Sequence, residues 1–527
     1  MTRLFCSAVA LTLGLAPVLS AMATDPDSDS TLNLFTRSRV EEPEPDGPFK
    51  IVYKSIQWDA RKTAVVICDM WARHWCDGAC KRGAEMAPRM NAFVKQARQK
   101  GALIVHAPSG GMEHYTDHPA RKRAQNAPQA ANLPEGIAGW CRGIESEKQG
   151  EWPIDQEDGG CDDQPRCPDR EMDRRQTPEI EIFDEDAISD SGVECWNLYE
   201  RRGIENVILV GVHTNMCVIG RPFGLRNMVR FGKRVLLVRD LTDTMYNSKC
   251  RPFVSHVRGT ELIVEHIEKH VCPTITSTDL LDKPAVRFAE DDRPHVAFLV
   301  SDDHYDADKT LPAFAQTLRE RFGIHCTVLH GQGGSDIPST AELEVADGLV
   351  LFVRRLALPK EQLDRVRKYV DSGKPLVGMR TSSHAFDVRG KFKEGEDEWP
   401  EFDAQVQGGN YQGHAANALG TNVAAVPEQA DHPILSGVDP AQWHSTGSLY
   451  YTSPVASNAT VLMTGSIKDR TEPLTWVRKY RAGRVVYTGL GHPDDFAEPQ
   501  FQKLLVNAIF WAMDRPGSDK GDAALFR

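Results

Sequence analysis

Short apolar runs rich in β-branched residues recur along the chain and alternate with stretches of helical periodicity. Thr63-Ala-Val-Val-Ile-Cys-Asp69 is apolar up to its terminal acid, the pattern of a strand buried on both faces of a parallel sheet. A helical stretch over Ala87 to Lys100, stopped by Gly101, leads to a second strand, Ala102-Leu-Ile-Val-His106. Strand, helix and strand at this pace predict βαβ units with right-handed crossovers. Between residues 110 and 178 the pattern dissolves into sequence rich in Gly, Asp, Pro and Cys. An irregular insertion of that length predicts a functional lid or a disulfide-tied loop. Regularity returns with Glu179–Phe183, a helix over Val193–Arg202, and the strands Asn206–Gly211 and Arg234–Val238, and fades near Leu281.

A charged stretch with two prolines, Asp282 to Pro294, reads as a linker. The alternation then restarts. Strands are expected at His295–Val300, Gly348–Val353, Lys374–Gly378 and Arg484–Tyr487, and helices over Thr310–Phe322, Lys360–Ser372 and Pro499–Met513. The fold class is therefore α/β, with two doubly wound, mostly parallel-sheet domains and no repeat relating them. The expected boundaries are a signal peptide at 1–23, a flexible lead-in at 24–52, a first domain at 53–282, a linker at 283–293, a second domain at 294–516 and a tail at 517–527.

The start of the chain changes the picture of where the protein works. Arg3 precedes an apolar stretch from Leu4 to Leu19, and Ala21-Met22-Ala23 places small residues where a signal peptidase reads. Cleavage there predicts an exported protein, periplasmic or extracellular, with no membrane span after signal removal, since no later segment approaches 18 apolar residues. A hydrophobic content of 41% with 26% charged residues is that of ordinary globular domains. The net charge of -12 argues against a nucleic-acid partner. Oligomeric state is not legible, and a homo-oligomer fits the sequence as well as a monomer. Ten of the twelve cysteines lie between Cys68 and Cys272. Cys76/Cys80 and Cys161/Cys167 are spaced like paired or metal-binding cysteines, but neither is a CxxC and the Asp-rich loop beside them has no clear His partner. Structural disulfides or buried thiols are expected.

In open parallel sheets, ligands gather beyond the carboxyl ends of the strands. Asp69 ends the first strand and His106 the second, and the turn Gly211-Val-His-Thr-Asn-Met-Cys217 leaves a third. A cysteine at a strand-to-helix turn lies near a helix N-terminus, which favours the thiolate and predicts a pKa below about 8.5.

Val66-Ile-Cys-Asp-Met70 together with Gly211-Val-His-Thr-Asn-Met-Cys217-Val, followed by Arg234–Asp240 and Asp240-Leu-Thr-Asp243, resembles the isochorismatase-like cysteine hydrolases over residues 60–281. These include nicotinamidases and carbamoylsarcosine amidases. The resemblance implies a nucleophile at Cys217, a base at Asp69, and an oxyanion hole from the backbone N–H groups of His213 and Cys217. It also implies a cis peptide at Val212–His213. The implied activity is hydrolysis of a small amide or ureido C–N bond in a small-molecule substrate, through a covalent intermediate. The family lysine is missing: the corresponding segment, Phe183-Asp-Glu-Asp-Ala-Ile-Ser189, carries acids including Glu185. Either another cation substitutes, with Arg73, His74 and Arg221 as candidates, or the substrate brings positive charge, or the site has lost the family reaction. His74 and His106 invite comparison with metal-binding members, but the Asp-x-His spacing is absent after Asp69. No metal and no cofactor is predicted.

In the second half three histidines lie in polar, Gly-rich settings: His384 in Arg380-Thr-Ser-Ser-His384, His414 after Gly408-Gly-Asn-Tyr-Gln-Gly, and His492 in Gly489-Leu-Gly-His492. With His432-Pro-Ile and Tyr480–His492 these segments are similar to the ThuA-like (trehalose-utilisation) domains over about 293–516. That resemblance implies the flavodoxin-like fold of class I glutamine amidotransferases and a link to sugars. Arg380-Thr-Ser382 stands where an amidotransferase carries its cysteine, so glutaminase chemistry is not implied. Gly447-Ser-Leu-Tyr-Tyr451 lacks the acid that often precedes the Leu-Tyr pair. An alternative to the hydrolase is thus a protein that binds or processes a saccharide through its second domain, with a degenerate first site. A third reading makes both halves binding modules.

Overall fold

In the computed structural model, residues 30–41, 49–331, 335–441 and 443–515 are described. The expected signal peptide, residues 24–29 of the lead-in and the tail at 517–527 lie outside the described residues.

Residues 42–48 lie outside the described residues too, and over 31–41 and 49–52 the lead-in expectation is overturned. Two strands, β1 (Thr31–Glu41) and β2 (Phe49–Asp59), form an antiparallel hairpin at the start of the first domain. The acid- and proline-rich composition hides a period of two: Leu32 and Leu34 point inward and pack with Trp58 in the core. Arg37 and Arg39 of β1 are held by Glu268, with Nε to carboxylate distances of 2.7 and 3.1 Å.

The remaining elements of this domain are β3 (Thr63–Cys68), β4 (Trp71–Arg73), α1 (Asp77–Gln99), β5 (Leu103–Ala107), α2 (Pro119–Gln125), β6 (Asp173–Gln176), β7 (Ala187–Ile188), α3 (Gly192–Arg202), β8 (Asn206–Val212), α4 (Leu225–Arg230), β9 (Arg234–Asp243), α5 (His256–His270) and β10 (Thr274–Ile275). Eight strands form one sheet in the order β2-β1-β10-β9-β8-β3-β5-β7, with the central pairs parallel. Every residue of β3 is buried. Val65 and Ile67 join Met86, Met90 and Phe93 of α1 on one face, while Ala64 and Val66 join Trp196, Tyr199 and Ile263 on the other. Both faces are therefore covered, as the unbroken apolar runs require.

Residues 179–183 form no strand. Two of their backbone donors are taken by side chains, Glu181 N by Asn91 at 3.1 Å and Phe183 N by Asp186 at 2.8 Å, and the short edge strand is β7 instead. Helix α1 begins ten residues earlier than its apolar periodicity suggests, at Asp77.

The second domain holds a nine-stranded sheet. His325–His330, His295–Ser301, Gly348–Val353, Leu376–Met379 and Gly483–Thr488 run parallel in that spatial order. Arg470–Tyr480, Thr460–Ile467, Thr421–Ala425 and His444–Ser445 extend it antiparallel. Helices α6 (Ala307–Phe322), α7 (Lys360–Asp371) and α8 (Pro499–Ala512) cover it. The segment read as a linker is bound at both sides: Arg293 pairs with Glu261 of α5 at 2.8 Å, and Ala285 N donates to Glu342 at 2.7 Å. Phe35 of the hairpin stacks on His330 of the second domain, ring centres 5.9 Å apart. Among the described residues, no helix is long and apolar enough to cross a membrane.

Candidate active site

β3 and β8 lie side by side, and their carboxyl ends meet at Gly211. This glycine has φ +107°, and a Cβ there would stand 2.0 Å from the Cys68 carbonyl oxygen. Only glycine lets the two chains approach so closely. Beyond it the Val212–His213 peptide is cis, and a π-helical turn over Thr214–Val218 carries Cys217. Side chains of the turn itself lock it. Thr214 Oγ1 donates to the Asp243 carbonyl at 2.9 Å, and Asn215 both donates to Met245 O at 2.9 Å and accepts from Met245 N at 3.0 Å.

Asp69 follows β3 at φ +47°, a strained conformation for a non-glycine residue. Its carboxyl is fully buried. Oδ1 accepts from Ser109 N at 2.8 Å; Oδ2 accepts from Arg221 Nη2 at 3.0 Å and Nε at 3.2 Å. Cys217 stands next to this carboxyl, whose charge acts on the thiol, and the His213 backbone N–H favours the charged form of the sulfur. Arg221, one turn past the cysteine, packs under Trp140 with its guanidinium carbon 4.8 Å from the ring centre. Trp140, Gly220 and Met216 border a cleft of about 620 Å³.

The expected depression of the thiol pKa is not what this environment produces. Burial and the neighbouring Asp69 charge push Cys217 up to about 12, against opposing effects from Arg221 and the His213 N–H. Desolvation is the largest effect on this thiol, and a favourable helix terminus does not overcome it. Burial likewise raises Asp69, and Arg221 opposes it. At rest the sulfur therefore carries its proton, next to a carboxyl whose ionised form Arg221 favours against burial.

Of the other candidates, His74 lines a pocket with Asp69 and His213, and His106, Arg73 and Glu185 make their contacts elsewhere. His106 is buried, bridging Gln176 Oε1 at 2.9 Å and Asp186 Oδ2 at 3.0 Å. Arg73 is exposed and donates to the Glu171 carbonyl at 2.9 Å. Glu185 is exposed in the loop ahead of β7. His74 packs edge-on against His213 at 4.9 Å, and burial pushes it down to about 4, so it offers a neutral ring and not a cation. Ser109 and Trp140 carried no signal in the sequence: one acts through its backbone and the other lies in the irregular insertion. Among the described residues every cysteine is a free thiol, Cys217 included. Of the two expectations for the cysteines, this is the buried-thiol one.

In the second domain the three histidines gather around a tyrosine cluster. His384 stacks on Tyr411 at 4.4 Å, and both His384 and His414 flank Tyr450, at 6.1 and 6.0 Å. His492 meets Tyr305 at 6.0 Å. Arg380 joins the two halves: its guanidinium carbon lies 4.3 Å from the Tyr305 ring centre and 4.7 Å from that of Tyr450. It is buried at φ +41° directly after the strand Leu376–Met379, donates to the Gly489 carbonyl at 2.9 Å, and leaves Nε without a partner. Sequence reading singled out the histidines but not Arg380 or Tyr305, which reach the cluster from separate strand ends.

Residues 297–512 match the family model described as trehalose utilisation, ThuA. No curated protein matches the chain. Among solved structures, a ThuA-like protein from Bacteroides uniformis is 16% identical at a TM-score of 0.34, over 43% of this chain and 94% of its own. A cysteine hydrolase from Pseudomonas syringae pv. phaseolicola is 15% identical at a TM-score of 0.27, over 42% and 92%. An isochorismatase family protein from Desulfovibrio vulgaris is 14% identical at a TM-score of 0.24, over 42% and 96%. By its family match, the C-terminal domain is similar to the trehalose-utilisation (ThuA) family over residues 297–512.

Proposed function

We propose that the N-terminal domain is a cysteine hydrolase of small amide or ureido C–N bonds, with Cys217 as nucleophile and Asp69 as proton acceptor. The observation that carries this reading is the placement of Cys217 beside a buried carboxyl that accepts two hydrogen bonds from Arg221. As the sulfur attacks the carbonyl carbon, its proton moves to Asp69 and a C–S bond forms. The carbonyl oxygen takes the negative charge near the His213 and Cys217 backbone N–H groups. Collapse breaks the C–N bond, and Asp69 gives its proton to the departing nitrogen. Water, losing a proton to Asp69, then attacks the thioester; the acid is released and the thiol restored. Arg221 stands in for the missing lysine by keeping Asp69 ionised between steps.

Turnover of a panel of small primary amides and ureido compounds tests this, with ammonia release as the signal and intact mass as the check for an acylated Cys217. Cys217→Ala should abolish both. A panel that yields neither product nor adduct, or ammonia release that persists in Cys217→Ala, rejects the assignment.

The ThuA domain supports a second reading, a saccharide site over the tyrosine cluster. Aromatic rings with a few converging polar groups are what small-ligand sites are built from, and Arg380 supplies a buried cation with an unpartnered Nε. Thermal stabilisation of the full chain by a saccharide, lost in Arg380→Met, is the expected result. An equal shift in both proteins places the ligand elsewhere.

A further inference from the structure

Cys76, the residue ahead of α1, meets three side chains of the long insertion: Cys161, Asp163 and Cys167. One ligand atom from each, three sulfurs and a carboxylate oxygen, all lie within 4.8 Å of one another. Asp163 Oδ2 is 3.2 Å from Cys76 Sγ, 3.6 Å from Cys161 Sγ and 3.2 Å from Cys167 Sγ, and it also accepts from Gly78 N at 2.8 Å. A carboxylate oxygen offers about two lone pairs, so four donors crowd one atom beyond what hydrogen bonding explains. A tetrahedral ion accounts for the spacing. With thiolates at about 2.3 Å and oxygen at about 2.0–2.2 Å from a shared centre, tetrahedral angles put sulfur about 3.5 Å from oxygen.

The surroundings suit such an ion. Cys76 and Cys161 are fully buried and Cys167 nearly so. Soft, dry thiolates favour zinc over hard cations. Three thiolates and a carboxylate outweigh a divalent charge, and the N-terminus of the 23-residue helix α1 offsets the excess. Its first-turn N–H groups point there, Asp77 N reaching Cys167 Sγ at 3.3 Å.

We propose that Cys76, Cys161, Asp163 and Cys167 bind one zinc ion in a structural site that clamps the insertion to α1. The clamp lies beside the nucleophile turn. Met216, the neighbour of Cys217, packs against the same cysteine cluster, and Gln156 of the insertion accepts from Asn215 Nδ2 at 2.7 Å. Binding displaces the three thiol protons to solvent.

Zinc in the purified full-length protein, measured by elemental mass spectrometry, should be about one ion per chain. It should fall below about a tenth in Cys161→Ser and Cys167→Ser. Cobalt(II) exchanged into the wild-type protein should show thiolate-to-metal charge-transfer absorption, a readout that needs no variant to fold. A chelator should lower Tm by about 5 °C or more. Three results each overturn the proposal: wild-type protein expressed with zinc that carries less than about a tenth of an equivalent, stoichiometric zinc that survives both serine variants, and a native disulfide joining any two of the three cysteines.

Discussion

Arg221 and Asp69 are 152 positions apart in sequence, yet Nη2 of one lies 3.0 Å from Oδ2 of the other in a buried pocket. The pairing bears on the thiol as well, because the charge of the same carboxyl acts on Cys217. A cation on Oδ2 favours the ionised acid and partly offsets its burial.

Replacing that cation should move the pH dependence in a definite direction. Arg221 lowers the Asp69 pKa, so Arg221→Met raises it, and the form that can accept a proton is reached only at higher pH. The acid limb of kcat/KM should shift upward in pH, with Arg221→Lys recovering most of the wild-type profile. Asp69→Asn should cost about 10²–10⁴ in kcat at every pH. An unmoved acid limb in Arg221→Met would remove Arg221 from the mechanism.

Gly211→Ala should be among the most damaging single-methyl additions in the domain. The added carbon meets the Cys68 carbonyl at 2.0 Å, and φ +107° is itself disfavoured for alanine. A loss of more than about 2 kcal/mol in denaturant unfolding is expected, together with loss of turnover. Near-wild-type stability would mean the two strands separate more readily than they pack here.

Glu268 pairs with two arginines of the hairpin from a buried position. Glu268→Ala strands Arg37, leaves Arg39 only its 3.4 Å pair with Glu265, and should destabilise the protein by about 3–5 kcal/mol. Glu268→Met with Arg37→Met and Arg39→Met should recover much of that loss. Urea melts of the single and triple variants check both statements.

Acid should unfold the protein through its buried neutral histidines. Burial pushes His213 down to about 3, His384 to about 3 and His74 to about 4, all below the unfolded value of about 6.5. The unfolded chain therefore binds these protons first. Their stabilising contribution is complete above about pH 6.5 and is lost as pH falls toward the folded values, at up to about 1.4 kcal/mol per pH unit for each group. Tm should drop steadily from pH 6.5 to 4.5, less steeply in His384→Gln. A flat Tm over that range contradicts the assignment.

For the ThuA-like domain, a saccharide at 100 times its Kd should stabilise the wild-type chain by about 2.7 kcal/mol if it binds as proposed. His384→Ala opens the Tyr411 stack and should weaken that effect, whereas His432→Ala, remote from the cluster and packed on Trp511, should leave it intact. Equal responses would separate binding from the tyrosines.

The parallel core was legible because each central strand is an unbroken β-branched run, and Asp69 and Cys217 were legible because they end two such runs. What covers and completes the site was less so. Arg221 was one of three cations, and nothing local distinguishes it; only the fold brings it to Asp69. The hairpin went unread because acids and prolines around Leu32 and Leu34 dominate the composition. The antiparallel strands at 460–480 were missed because Gly465 and Pro473 interrupt their alternation. The protonation of Cys217 was misjudged because burial of a strand-end turn depends on distant segments that no window of sequence contains.

The Phe35–His330 stack bears on how the molecule comes apart. A hairpin from one domain that rests on the other, beside a connecting segment tied at both ends, ties the melting of each half to its neighbour. Calorimetry of the intact chain should therefore record one merged endotherm, and severing the backbone near residue 290 should leave each fragment with a raw, sticky face.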